Sequence, residues 1–155
     1  MALNAGAKIL WSVKYEDTQV IAPSVISLTL GSGTILGNNA IVLSSKTSQV
    51  NSSFNSPVYK KKIVADQYNQ LVVNFKGNYG LILRAYNDGV AYRLFTSQKE
   101  EIIVTTEAAN FNFDKDYKLF IPYVRDLRDH DKYSSSFEAL YNEVPVSGVL
   151  KDTLA

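Results

Sequence analysis

Hydrophobic and polar residues alternate along much of this chain, and the alternation predicts β-strands. In Ile9–Tyr15 the apolar side chains fall on every second residue, the period at which side chains of a strand face one side. Further strands are expected at residues 18–22, 25–30, 40–45, 59–65, 71–76, 81–86, 90–95, 101–106, 110–113 and 118–122. Many short runs with turn signals between them predict an all-β sandwich rather than an α/β fold.

A few segments depart from the strand pattern. Residues 46–57 are rich in Ser, Asn and Thr, which predicts a polar surface loop. Residues 135–141 are expected to form a helical turn, because Ser135 and Glu138 have the spacing of a capping box. No internal repeat or low-complexity linker marks a second domain. We therefore expect one domain over residues 1–155.

One predicted hairpin, over residues 81–95, turns at Asn87-Asp88-Gly89, a strong hairpin signal. A two-residue Asp88-Gly89 loop would place Arg84 directly opposite Arg93. Like charges at opposed strand positions repel, so we expect these arginines to have carboxylate partners elsewhere. The alternative is an ordinary hairpin with solvated arginines.

Composition excludes several classes of function. The net charge of +1 gives no broad field for nucleic acid or an anionic membrane. No apolar run approaches the ~18 residues of a membrane helix, and residues 1–10 lack the apolar core of a signal peptide. Cys is absent, which excludes disulfides, thiol catalysis and cysteine-ligated zinc.

Catalytic candidates in the chain are few. His130 is the only histidine and lies between Asp129 and Asp131. It is either a solvated loop residue or an acid–base group whose pKa the aspartates raise. Glu138 and Glu143 are five residues apart, so a helix would place them on different faces. They form no obvious acid–base pair of the kind that a glycosidase needs, and we assign no catalytic residue.

Two further groups could contact a ligand. Lys60-Lys61-Lys62 is a basic run, which we interpret as a solvated strand edge that discourages aggregation. Four aromatic residues could stack on sugar rings or pack in the core or its rim: Tyr117, Phe120, Tyr123 and Tyr133.

Residues 84–93, RAYNDGVAYR, resemble the R-x-Y-N-D-G-V-A-[FY]-R signature of the N-terminal domain of glycoside hydrolase family 97. That family contains α-glucosidases and α-galactosidases. Residues 20–28 look like its entry strands, and residues 68–73 resemble its Y-N-E strand, with Gln70 in place of the usual acid. Residues 136–141 look like its n-Y-E-x-x-Y segment, with Phe137 in place of Tyr.

The resemblance implies a β-sandwich of the galactose-mutarotase-like (super-sandwich) type, here in truncated form. In the family this sandwich precedes a catalytic (β/α)8 barrel and a C-terminal β domain. The chain would then be a non-catalytic fragment whose partners are its own barrel and an α-linked carbohydrate. The parent protein would be periplasmic or secreted. Missing strands would leave an open sheet edge, so we also expect a homodimer formed through that edge.

The resemblance also implies a calcium ion in the full-length enzyme, held by barrel glutamates and one glutamate of the N-terminal domain. Glu138 is the matching position, and carboxylate oxygen is a suitable calcium ligand. The alternative role for Glu138 is helix capping. We expect no cofactor on the isolated chain. Two other functions stay open: a carbohydrate-binding module, which an exposed aromatic platform would favour, and a mutarotase-like sugar epimerase, which would need His130.

Overall fold

The computed structural model describes residues 1–123 and 139–150. Its contacts divide the chain into two compact units, Met1–Asn112 and Phe113–Ala155, which are described separately. The expected single domain over residues 1–155 stays a prediction. The strands of the first unit are β1 Ala2–Asn4, β2 Ile9–Tyr15, β3 Thr18–Leu30, β4 Ile35–Leu36, β5 Val42–Asn55, β6 Ile63–Phe75, β7 Tyr79–Ala85, β8 Val90–Thr96 and β9 Val104–Ala109.

The first unit contains two antiparallel sheets with one shared core. In one sheet β1, β2 and β3 are consecutive, and both β4 and β9 also pair with β3; the other sheet has the order β5-β6-β7-β8. Alternate residues of β2 are buried, as the sequence pattern predicts, and the core draws side chains from both sheets. The buried side chains include Ile9, Trp11, Ile26, Val73, Phe75, Leu81 and Leu83. Burying a side chain of this size contributes about 1.5–3 kcal/mol. The predicted all-β fold is confirmed.

The predicted loop at residues 46–57 is wrong, because this segment lies mostly in β5. Almost every residue of β5 has a partner on β6, from Ser44 opposite Asn74 to Asn55 opposite Ile63. Polar side chains also bond across the pair: Gln67 Nε2 donates to Asn51 Oδ1 at 2.7 Å. A polar composition predicts a loop only when the backbone lacks a partner strand, and here the long ladder supplies one.

Strands β5 and β6 extend beyond the rest of their sheet. β7 ends at Ala85, opposite Asn69, so residues 50–55 and 63–68 pair only with each other. We call this two-stranded segment the ribbon; six residues make it about 20 Å long. Residues 56–62 connect its strands and form the tip. Lys60-Lys61-Lys62 are exposed there, in the bend rather than at the predicted strand edge.

β3 continues through Pro23, where the sequence predicted an interruption. The pairing with β2 is irregular at this point, passing from Trp11 opposite Ser24 to Val13 opposite Ile21. A bulge tolerates proline because no ladder hydrogen bond is required of it.

The hairpin between β7 and β8 differs from its predicted geometry. Its loop has four residues rather than two: Ala85 is opposite Val90, and Tyr86 N–H donates to Gly89 O at 2.8 Å. Arg84 therefore faces Ala91, while Arg93 faces Ile82. The prediction that the two arginines oppose each other is wrong, because the turn is two residues longer.

The second unit, within the part described, contains an antiparallel pair, β10 Lys118–Ile121 and β11 Asn142–Pro145, followed by a 3-10 turn over Val146–Gly148. Lys118 and Glu143 form an ion pair across the strands. The Asp116 carboxylate accepts hydrogen bonds from the Ser147 hydroxyl and backbone N–H, which lower the pKa of Asp116 below its ordinary value. The predicted helical turn lies mostly outside the described residues; its described part, residues 139–141, is not helical.

Candidate functional site

A cavity of about 490 Å³ lies where β1 meets the base of the ribbon. Register explains how its lining forms: Thr47 is opposite Leu71 and Gln49 is opposite Asn69, so hydroxyl, amide and aliphatic groups share one face of the sheet. Leu83 of β7 and Leu3 of β1 complete the apolar part of the wall. The site was missed from sequence because residues 46–57 were interpreted as a loop, which hid the alternation of Thr47 and Gln49.

The side chains that line this cavity are uncharged and amphipathic. Its lining side chains are amides, hydroxyls and aliphatic groups, with no charged side chain among them. Amides and hydroxyls both donate and accept hydrogen bonds, and aliphatic side chains cover the C–H faces of a ligand. A neutral ligand that carries several hydroxyl groups fits such a lining.

A second polar cluster surrounds Arg84 at the end of β7. Its Nε donates to Gln70 Oε1 at 2.9 Å, and its guanidinium lies 4.2 Å from the ring centroid of Tyr68. Tyr68 and Tyr86 pack with ring centroids 5.1 Å apart. The pKa of Arg84 is raised, chiefly by a hydrogen bond with Tyr86. The expected carboxylate partner is thus replaced by an amide and an aromatic face, and Asp66 acts on the guanidinium only through its charge.

Three of the four aromatic residues proposed for sugar stacking lie among the described residues. The nearly parallel pair among the described residues, Phe75 and Tyr79 at 25°, is buried in the core. Of the predicted candidates, Tyr117 packs edge-on against Phe113 and donates to Asp114 Oδ1. The Tyr123 hydroxyl accepts from Leu150 N–H at 3.3 Å. Phe120 is 67% exposed, and Tyr133 lies outside the described residues.

Of the remaining sequence candidates, Glu143 lies within the described residues. Glu138 and His130 both lie outside the described residues. Glu143 lies on β11 and pairs with Lys118. Across residues 1–123 and 139–150, no three His, Cys, Asp or Glu side chains are close enough to hold a metal ion. In the same ranges no helix has the length and apolar character needed to cross a membrane.

Comparison with known proteins gives a consistent result. The family model described as "Glycosyl-hydrolase 97 N-terminal" matches residues 1–154. The retaining alpha-galactosidase of Bacteroides thetaiotaomicron is 32% identical over 155 residues, which are 98% of this chain and 23% of that protein. This chain therefore spans about a quarter of its curated relative.

Solved structures share the fold. A Glycoside Hydrolase Family 97 enzyme from Pseudoalteromonas sp. strain K8, in complex with panose, superposes with a TM-score of 0.76 at 18% identity, covering 93% of this chain and 22% of that one. A beta-arabinopyranosidase also gives a TM-score of 0.76 at 18% identity, covering 91% of this chain and 24% of that one. At this identity the likeness establishes the fold alone.

Proposed function

Because this chain belongs to the glycosyl-hydrolase 97 N-terminal family, we propose that it is the non-catalytic N-terminal domain of a calcium-dependent α-glycosidase. In this proposal it packs on a catalytic barrel and contributes to the substrate pocket. The observation that carries the proposal is the family match over residues 1–154 by a chain that spans only 23% of its curated relative. The catalytic carboxylates then belong to the rest of the parent polypeptide.

Glu138 is the residue that we propose as a calcium ligand of the parent enzyme. The support is its position in the segment that resembles the family, together with the preference of calcium for carboxylate oxygen. Bound calcium would supply positive charge beside the substrate, and the Glu138 carboxylate would supply one of its oxygens. We propose an α-linked sugar as the substrate class, since the curated relative is a retaining alpha-galactosidase. We further propose that the parent protein is periplasmic or secreted.

The experiment uses the 155-residue chain and the parent polypeptide side by side, each assayed with α-galactosides and α-glucosides. We expect no hydrolysis by the chain alone. In the parent, we expect Glu138→Gln to weaken calcium binding and lower activity on the order of tenfold or more. Glu143→Gln is the matched control, because Glu143 is half-exposed and forms an ion pair with Lys118 on the neighbouring strand.

Two results would count against the proposal in different ways. Hydrolysis by the chain alone would overturn the non-catalytic role. An unchanged calcium requirement in Glu138→Gln, with the control also unchanged, would remove Glu138 from the metal site and leave the domain assignment in place.

A carbohydrate-binding module is the second candidate, and the cavity at the base of the ribbon favours it. Titration of the labelled chain with α-linked gluco- and galacto-oligosaccharides would then shift NMR signals of Gln49, Asn69 and their neighbours, and Asn69→Ala would weaken the response. Asn51→Ala is the control, since Asn51 lies on the ribbon beyond the cavity and bonds to Gln67. Shifts that are absent or scattered over the surface would exclude this candidate.

A further inference from the structure

The tip and the ribbon residues beside it expose large apolar side chains. Val58 is 94% exposed, Tyr59 and Ile63 are each 62% exposed, and Phe54 is 54% exposed. Isolated exposed apolar residues are ordinary, but four around a single bend mark an interaction surface.

The same tip concentrates positive charge. Lys60, Lys61 and Lys62 are consecutive and exposed, and no Asp or Glu occurs from residue 47 to residue 65. The net charge of +1 for the whole chain predicts no attraction to an anionic membrane. The tip differs locally from this average. The ribbon places its three lysines about 20 Å from the end of β7, and physiological salt screens charges over roughly 8 Å, so charges in the sandwich do not offset those of the lysines.

We propose that the tip binds the surface of an anionic phospholipid bilayer. The lysines would contact headgroup phosphates, while Val58 and Tyr59 enter the boundary between headgroups and acyl chains. Apolar side chains beside lysine and a tyrosine are the composition that favours this interface.

The direction of the apolar side chains favours a fluid partner over a rigid protein groove. Phe54 is opposite Val64 and Ile63 is opposite Asn55, so Phe54 and Ile63 lie on opposite faces of the ribbon. A protein groove of the usual kind covers one face of a strand pair. A lipid layer surrounds the end of the ribbon and covers both faces. Lysine suits the same partner, because its ammonium is a flexible point charge that needs no fixed geometry.

The first test is cosedimentation of the chain with vesicles. We expect binding to vesicles of about one part phosphatidylglycerol to three parts phosphatidylcholine, no binding to pure phosphatidylcholine, and loss of binding at high salt. Replacing Lys60, Lys61 and Lys62 by Gln should weaken binding about a hundredfold, at roughly fivefold for each lysine. The control replaces three other exposed lysines, Lys8, Lys14 and Lys76, by Gln and has the same net charge.

The second test asks whether apolar side chains enter the bilayer. In the variant Tyr59→Trp, we expect the emission to shift to the blue and become protected from acrylamide when phosphatidylglycerol vesicles are added. Tyr15→Trp is the control, since Tyr15 is 66% exposed and lies next to the β2–β3 turn. The native Trp11 is 2% exposed and gives a constant background.

The third test compares two double variants, each of which replaces two exposed apolar residues by Ser. We expect Val58→Ser with Tyr59→Ser to bind phosphatidylglycerol vesicles more weakly than Ile103→Ser with Tyr15→Ser does. Equal loss in the two lysine variants would mean attraction of the whole chain and overturn the proposal. No preference for phosphatidylglycerol vesicles would also overturn it, and an acidic protein partner would then fit the tip better. Circular dichroism confirms that each variant is folded.

Discussion

Strand β6 passes through two environments, which differ in the burial of its side chains and share the same backbone pairing with β5. Its last five residues lie in the sandwich, where Val73 is 3% exposed and Phe75 is 1% exposed. Its first six residues lie in the ribbon, where Ile63 is 62% exposed. Both halves pair residue by residue with β5.

The two halves show that the formation of a strand and its stability have different causes. A partner backbone is sufficient for the extended conformation, even in the ribbon, where no side chain is fully buried. Burial of apolar surface supplies most of the free energy of folding. We therefore expect mutations to be costly in the sandwich half and mild in the ribbon half. Four predictions test this difference.

The largest effect is expected at Phe75, which stacks on Tyr79 with ring centroids 5.1 Å apart. Phe75→Ala should lower the free energy of unfolding by about 3–5 kcal/mol, since it removes buried surface and leaves a cavity. Phe54→Ala, in the ribbon, should change it by no more than about 0.5 kcal/mol. Urea unfolding followed by Trp11 fluorescence measures both. Equal losses at the two positions would break the comparison.

A smaller effect is expected at Gly80, on β7. A Cβ there would lie 2.3 Å from Phe95 Cζ and 2.6 Å from the carbonyl oxygen of Val73, and the backbone oxygen has little room to move. Gly80→Ala should cost about 1–3 kcal/mol. The control is Gly89→Ala, because nothing lies within 4 Å of the added carbon there. If both substitutions leave the urea midpoint unchanged, the sandwich half is looser than the structure indicates.

A gain in stability is expected where the two halves meet. Gln70→Glu would offer Arg84 a carboxylate in place of an amide oxygen, and a charge-assisted bond in a partly exposed site should add about 0.5–1 kcal/mol. The gain should fall at high salt and disappear when Arg84 is replaced by Gln. A gain that persists without Arg84 would assign the effect to another neighbour.

The smallest effect is expected at Tyr79, through the dependence of stability on pH. Burial raises the pKa of its phenol, and a hydrogen bond from Gly37 N–H to Tyr79 Oη lowers it in part. The folded state favours the neutral phenol, so the contribution is complete below the ordinary pKa of 10.0 and is lost as pH rises through the raised pKa. Urea midpoints measured across this range should fall less steeply in Tyr79→Phe. Burial also raises the pKa of Tyr92, so a residual slope is expected in that variant.

The strands of the sandwich were predictable from the sequence, and those of the ribbon were much less so. β2 was predicted with its observed bounds, because Ile9, Trp11 and Val13 recur at every second residue and the core covers that face. Only the start of β5 was predicted, within the expected strand at residues 40–45, since the mostly polar residues that follow leave no periodic signal.

The candidate sites were predictable only in part. The Asn87-Asp88-Gly89 turn was found, but the position of Arg84 depends on a loop length that the dipeptide does not determine. The cavity combines residues of β1, β5, β6 and β7, and no local pattern brings Leu3 and Asn69 together. Glu138, His130, calcium binding and the expected homodimer stay predictions.

The β5–β6 ladder begins at the end farthest from the tip, where Lys76 N–H donates to Ile41 O and a bulge separates Val42 from Ser44. Beyond that point the side chains on both faces are mostly polar, and such strands specify their alignment weakly. Lengthening the tip by an inserted epitope would therefore leave the alignment of the core strands unchanged.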